Sequence, residues 1–132
     1  MLHLREERMA DHFVKHHVEG LPAAAVFHQF NQADYGDPHD HPWPFTSFVI
    51  SGGYMEQVFQ LDGSSEMILR EPGQSFQIAA NHIHRIVDLP LGQCTTIILP
   101  GLHERKSGFY QFRDRRAWHR YWDQTVFQPL AG

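Results

Sequence analysis

An all-β sandwich or barrel is the fold class this sequence predicts, and three observations predict it. Eight stretches of five to nine residues are rich in β-branched and aromatic side chains. They are separated at regular spacing by segments dense in Gly, Pro, Asp and Asn. No helical pattern of about 10–15 residues alternates with them, which argues against a parallel α/β fold.

The elements follow in order. Leu2, Met9, Phe13 and Val14 fall roughly on one helical face, with Arg5, Glu6, Glu7, Arg8 and Lys15 elsewhere. This predicts an amphipathic N-terminal helical segment over 1–20, ended by "GLP" at 20–22. The expected strands over 21–112 are "AAAVFHQFN", "FTSFVIS", "YMEQVFQL", "EMILRE", "SFQIA", "HRIVDL", "CTTIIL" and "GFYQF". "QLDGSSEM" is the clearest hairpin, because Asp-Gly supplies the positive φ of a tight turn. The last segment, 113–132, reads as a C-terminal helix with Trp118, Tyr121 and Trp122 toward the barrel and Arg115, Arg116 and Arg120 toward solvent. Neither a repeat nor a linker divides the 132 residues, so one domain is expected.

Composition narrows the function classes. A formal charge of −4 gives no general electrostatic case for a nucleic-acid or membrane partner. "FRDRRAWHRYW" mixes arginines with aromatics, but a helix packing its aromatic side on the barrel accounts for it without nucleic acid. The N-terminus has no apolar h-region, and "AAAVF" and "IIL" are too short to span a bilayer. A cytoplasmic protein is the expectation. Cys94, the single cysteine, rules out an intrachain disulfide and a zinc ribbon.

Histidine stands out, with 11 against two lysines. In "HDHPWPFTSFVISGGY", His39 and His41 are one residue apart, and on an extended strand i and i+2 share a face. Two ligands are not a site, since zinc normally takes at least three from the protein. A second cluster, "NHIHRI", carries His82 and His84 with Asp88 four residues on. The alternative is that these are polar strand-end residues at a barrel rim, but the paired spacing of both clusters favours metal.

The two clusters resemble the paired motifs of the cupin superfamily. "GDPHDHPWPFTSFVISGG" is similar to the first motif through His39, His41 and Gly52, and "PGQSFQIAANHIH" to the second through Pro72, Gly73 and His84. The likeness covers about half the chain directly and is closest to small stand-alone cupins. It implies a single-domain double-stranded β-helix, or jelly roll, flanked by the two short terminal helices. It also implies one divalent metal ion held by His39, His41 and His84. Position 45, where many cupins place a glutamate ligand, is Phe45. The implied site is therefore a three-histidine one, similar to that of thiol dioxygenases of the superfamily. Neutral ligands leave the ion's full charge uncancelled, which suits a small anionic substrate.

The resemblance implies iron for a dioxygenase; zinc, nickel or manganese would suit Lewis-acid chemistry on the same ligands. A non-catalytic small-molecule or metal-binding sensor is the alternative from another class. His82 is open between a fourth ligand, a supporting hydrogen-bond partner and a loop residue. Glu56, Tyr54 and His82 are the candidate catalytic groups, with Glu56 read as a surface or supporting residue rather than a ligand. Asp40 is expected to point away from its histidine neighbours, and Trp43 to be structural or to wall the pocket mouth. His28 is either a pocket or a barrel-core residue, and His3, His12, His16, His17, His103 and His119 read as solvated surface. The expected partners are a small-molecule ligand or substrate and, by resemblance, a second copy in a homodimer.

Overall fold

The computed structural model describes residues 3–10, 13–19, 25–34 and 36–130. No helix is present among the described residues, and hence none long and apolar enough to cross a membrane. The strands are β1 (His3–Ala10), β2 (Phe13–Glu19), β3 (Ala25–Phe30), β4 (Phe45–Ser51), β5 (Tyr54–Phe59) and β6 (Ser65–Arg70). They continue as β7 (Ser75–Ile78), β8 (Ile83–Asp88), β9 (Cys94–Pro100), β10 (Gly108–Arg113), β11 (Arg116–Tyr121) and β12 (Gln128–Pro129). One sheet runs β1-β2-β3-β9-β4-β7, a second β6-β5-β8 and a third β10-β11-β12, and every ladder is antiparallel. All eight strands expected between 21 and 112 are present.

Period-two alternation sets what faces inward. On β4 Phe45, Ser47 and Val49 are buried, and on β9 Cys94, Thr96 and Ile98. On β5 the buried side chains are Tyr54, Glu56 and Val58. Val49, Tyr54, Leu89 and Cys94 form one apolar cluster, and Phe45, Ile78 and Ile98 another. Between the six-stranded sheet and the β6-β5-β8 sheet lies a cavity.

Both terminal segments depart from the helices expected of them. β1 and β2 pair with each other, and β2 adds to β3 with Phe13 opposite Phe30 and Lys15 opposite His28. Phe13 stacks on Phe30 at 4.4 Å and meets His28 edge-on at 5.0 Å, whereas Met9, its expected helical neighbour, is 50% exposed. Pairing with β3, whose edge would otherwise lie open, overrides a weak helical preference. The exposed charges Arg5 to Arg8 along β1 guard the new sheet edge against further pairing. Leu2, His12 and the helix stop expected at 20–22 lie outside the described residues.

At the other end β10 and β11 form a hairpin in which Arg113 pairs with Arg116. The two turn residues, Asp114 (φ 52°) and Arg115 (φ 61°), both adopt the left-handed conformation of a two-residue turn. Ala117 is buried while Trp122 is 63% exposed, so the expected aromatic helix face does not exist.

The β4–β5 connection, Ser51-Gly52-Gly53, is fixed by close approach. Gly52 has φ +81°, and a Cβ there would lie 1.8 Å from the Gln93 carbonyl oxygen. Gly73 has φ +90° with open space around it. A Gly52→Ala variant should therefore lose ~2 kcal/mol or more, against ~1 kcal/mol for Gly73→Ala, which carries the backbone strain alone. Urea unfolding midpoints of the two variants measure the difference. "QLDGSSEM" folds as expected: the Gly63 N–H donates to the Gln60 carbonyl (3.0 Å), and Asp62 accepts from the Ser64 amide (2.9 Å).

Candidate metal centre

His39 belongs to no named strand, yet its backbone joins two sheets. Its amide donates to the His84 carbonyl and the His84 amide returns the bond, both at 3.0 Å. His39 also bridges Phe109 of β10. Residues that exchange both hydrogen bonds in an antiparallel pair carry their side chains on the same face. His41, two residues on, shares that face, and its amide donates to the Ala80 carbonyl (3.0 Å). The backbone register is therefore what brings His39, His41 and His84 together.

Each of the three offers a ring nitrogen within 4.8 Å of the other two, so they could hold one metal ion. Ring centroids are 5.5 Å apart for His39–His41, 5.0 Å for His39–His84 and 4.9 Å for His41–His84, with every pair of planes steeply inclined. Nε2 of His41 is buried with no hydrogen-bond partner. A buried polar atom without a partner is costly unless something else satisfies it, and an ion would.

Glu56 takes a larger role than the sequence indicated. It is fully buried, and its Oε2 accepts from His84 Nδ1 at 2.5 Å. That bond fixes the Nδ1–H tautomer and leaves Nε2 as the ring atom free to ligate. Arg70 donates to Glu56 Oε1 through Nε (2.7 Å) and a terminal nitrogen (2.6 Å), with its guanidinium 3.9 Å over Phe76. Burial works to raise the Glu56 pKa. Hydrogen bonds from His82 and His84, with the charges of His84 and Arg70, outweigh it and hold the carboxyl well below the usual range.

His82 stands beside Glu56, with Nε2 3.3 Å from Oε2, outside the three-histidine group. Glu56, His82 and His84 are also near enough to hold an ion. A cation there would compete with Arg70 for the carboxylate and displace the proton on His84 Nδ1, so the cavity-facing triad fits an ion better.

Asp40, between the two histidines, points the other way, as expected, and is buried. It accepts from the Gly108 amide and the Tyr110 hydroxyl, both at 2.7 Å, and pairs with Arg105 at 3.1 Å. These contacts pin the His39–His41 segment to β10. Pro42 and Pro44 donate no hydrogen bond, but their carbonyls accept from Glu104 (2.8 Å) and Gly101 (2.7 Å). Arg70 and Asp40 were invisible as contributors in sequence, since their partners lie 14 and about 70 residues away.

The triad opens into a cavity of about 340 Å³ between the sheets. Phe45 stands at its wall, edge-on to His41 at 4.9 Å, with Trp43 a further 5.7 Å beyond, so an aromatic ring and not a carboxylate flanks the triad there. Tyr54 also reaches the wall; burial and the Glu56 charge raise its pKa, keeping the phenol protonated. His28 lines the cavity too. His119, expected at the surface, instead has a buried Nε2 without a partner.

Burial keeps the cavity histidines neutral. It lowers His39 from 6.5 to about 4, helped by His84, and His28 to about 3, helped by Lys15. It lowers His41 to about 2, with His84 and His39 adding to the effect. Below 6.5 the unfolded chain therefore binds protons that the folded protein refuses. Stability from these groups is fully present above pH 6.5 and is lost as pH falls toward 4 and below. Urea unfolding of metal-free protein should show a loss of ~3 kcal/mol between pH 6.5 and 5, one pH unit per group being worth at most ~1.4 kcal/mol. A flat profile over that range would contradict burial of neutral imidazoles.

No family model matches the sequence, and no curated protein does. Solved structures do. The hydroxypropylphosphonic acid epoxidase from S. wedmorenis aligns with TM-score 0.59 and 13% identity over 74% of this chain and 55% of its own. A single-residue variant of the Bacillus subtilis oxalate decarboxylase aligns with TM-score 0.58 and 16% identity over 74% of this chain and 27% of its own. An oxalate oxidase in complex with the substrate analogue glycolate aligns with TM-score 0.52 and 15% identity over 66% of this chain and 45% of its own. The chain thus spans about half the length of the epoxidase. At such identities the likeness is one of fold. The antiparallel all-β architecture built here is the cupin fold of these enzymes.

Proposed function

We propose that the protein is a mononuclear three-histidine metalloenzyme, a dioxygenase acting on a small anionic substrate, with His39, His41 and His84 holding Fe(II). The observation that carries this reading is the convergence of three imidazoles, the His84 ring buried and His41 with a buried, unpartnered Nε2, on the wall of one cavity. Iron in that position would supply the redox chemistry with O2 that no side chain here can perform.

The chain's own residues have definable parts. Three neutral donors leave the positive charge of the site uncancelled, which draws an anion into the cavity. Glu56 keeps the proton on His84 Nδ1 and sets the ring's orientation. Phe45, Trp43 and Ile98 present apolar surface that excludes water, while Tyr54 offers a protonated hydroxyl. The similar structures lend support by their names alone. The epoxidase has been solved as Fe(II) and Co(II) forms, and its substrate, like oxalate, is a small acid.

The test begins with metal analysis of protein purified without a tag. About one ion per chain is expected, and none in a His39→Ala/His84→Ala double variant. Oxygen uptake by the Fe(II)-loaded protein with a panel of small thiols and carboxylates then separates an enzyme from a binding protein. Metal-free protein that cannot be loaded would overturn the proposal.

A further inference from the structure

We propose that Lys15 and His28 form a second anchor in the cavity, one that selects substrates carrying two anionic groups. This rests on the metal reading above and deepens it. Lys15 carries the one lysine or arginine charge on the cavity wall among the described residues. It reaches the inner face because β2 is a strand; in register it lies opposite His28 of β3, which lies opposite Thr96 of β9.

The ammonium is not spoken for. Its nearest aromatic is Phe13, with Nζ 5.8 Å from the ring centroid. Glu7 lies directly opposite Lys15 in the β1–β2 register and feels its charge, but its carboxylate is bonded to His17 at 2.7 Å, and no carboxylate is in ion-pair contact with the ammonium among the described residues. Its register opposite His28 places it at the β2–β3 end of the cavity. Lys15 acts on His28, whereas His39 responds to His84, Asp34 and His82. Asp34, the one carboxylate on the wall, is held through its amide on the Ile86 carbonyl of β8 (2.9 Å), two residues from His84, and so sits on the histidine side of the cavity. His28, held neutral, can donate a hydrogen bond without adding charge. Between the two ends the wall is largely apolar, with Phe30, Phe45, Ile86 and Ile98.

An anion at the histidine triad and a second at Lys15, joined by a short hydrocarbon, match this distribution. A cavity of about 340 Å³ limits the spacer to a few carbons or one ring. A charge-assisted hydrogen bond from a lysine inside an apolar wall is worth at least ~10-fold in affinity.

The test uses Co(II)-loaded protein, whose absorption spectrum reports anions arriving at the metal. Dicarboxylates from succinate to adipate are titrated against monocarboxylates of equal length. In the wild type one dicarboxylate should bind ~10-fold more tightly than its partner. Lys15→Met should abolish that preference while leaving cobalt stoichiometry and monocarboxylate affinity unchanged, and Lys15→Arg should restore it. A second readout needs no metal. The chain has two lysines, so acylation of Lys15 in metal-free protein can be read by mass spectrometry against Lys106 as internal control. The dicarboxylates of the series should slow labelling at Lys15 alone. Cobalt that fails to bind would overturn the metal reading and leave the labelling to decide the subsite. A wild type without preference, a Lys15→Met variant that retains it, or equal labelling with and without the dicarboxylate would overturn the subsite.

Discussion

His84→Ala is expected to lose metal affinity by well over ~100-fold, more than the 10–100-fold typical of removing a supporting residue. His84 holds the centre of the constellation: its backbone pairs with His39, its ring lies within 5.0 Å of both partner rings, and Glu56 fixes its tautomer. His82→Ala should leave affinity within ~10-fold, since that ring meets Glu56 rather than the cavity. Equilibrium dialysis with Zn(II) on both variants checks the contrast, and equal losses would make His82 a fourth ligand. His41 adds a stability test of the same idea. His41→Leu removes a buried, unpartnered ring, so the metal-free variant should be more stable than wild type at pH 5 while binding no metal.

Glu56→Ala should cost ~3–5 kcal/mol of stability, the largest effect expected outside the ligands. The substitution strands the Arg70 guanidinium, 17% exposed, without its carboxylate, and removes the acceptor of His84 Nδ1. Glu56→Gln keeps the shape and loses the charge, so its stability loss should be smaller. It should still weaken metal binding about 10–100-fold, because an amide no longer dictates which His84 nitrogen carries the proton. Combining Glu56→Ala with Arg70→Met should recover much of the stability but none of the metal affinity. Urea unfolding with zinc titration reads the two effects separately. Parallel loss and recovery of both would make Glu56 purely structural.

The barrel strands were largely legible in sequence because alternation is a local rule, and the histidine cluster was legible through its resemblance to paired motifs. Alternation marked β3 to β10, Asp62-Gly63 marked its hairpin, and His-x-His with a Pro-Gly segment ending on His84 marked the cluster. What stayed hidden depends on distant partners. β1 and β2 became strands because β3 offered an edge, and only then did Lys15 turn toward the cavity. The last hairpin turns on Asp114 and Arg115, residues with no glycine to announce a left-handed pair. Glu56 stayed open between a surface and a supporting carboxylate, since nothing near it in the chain foretold Arg70 on the next strand. Phe45 kept its significance: the ring in contact with His41 leaves the triad without a charged ligand.

The single rung formed by His39 has one more consequence. The same backbone unit that closes the gap between β8 and β10 also carries a candidate ligand, so sheet closure and site assembly are one event. Each transient breaking of the His39–His84 amide pair would swing an imidazole away from its companions. Holding that amide pair closed is therefore also what keeps the three rings together.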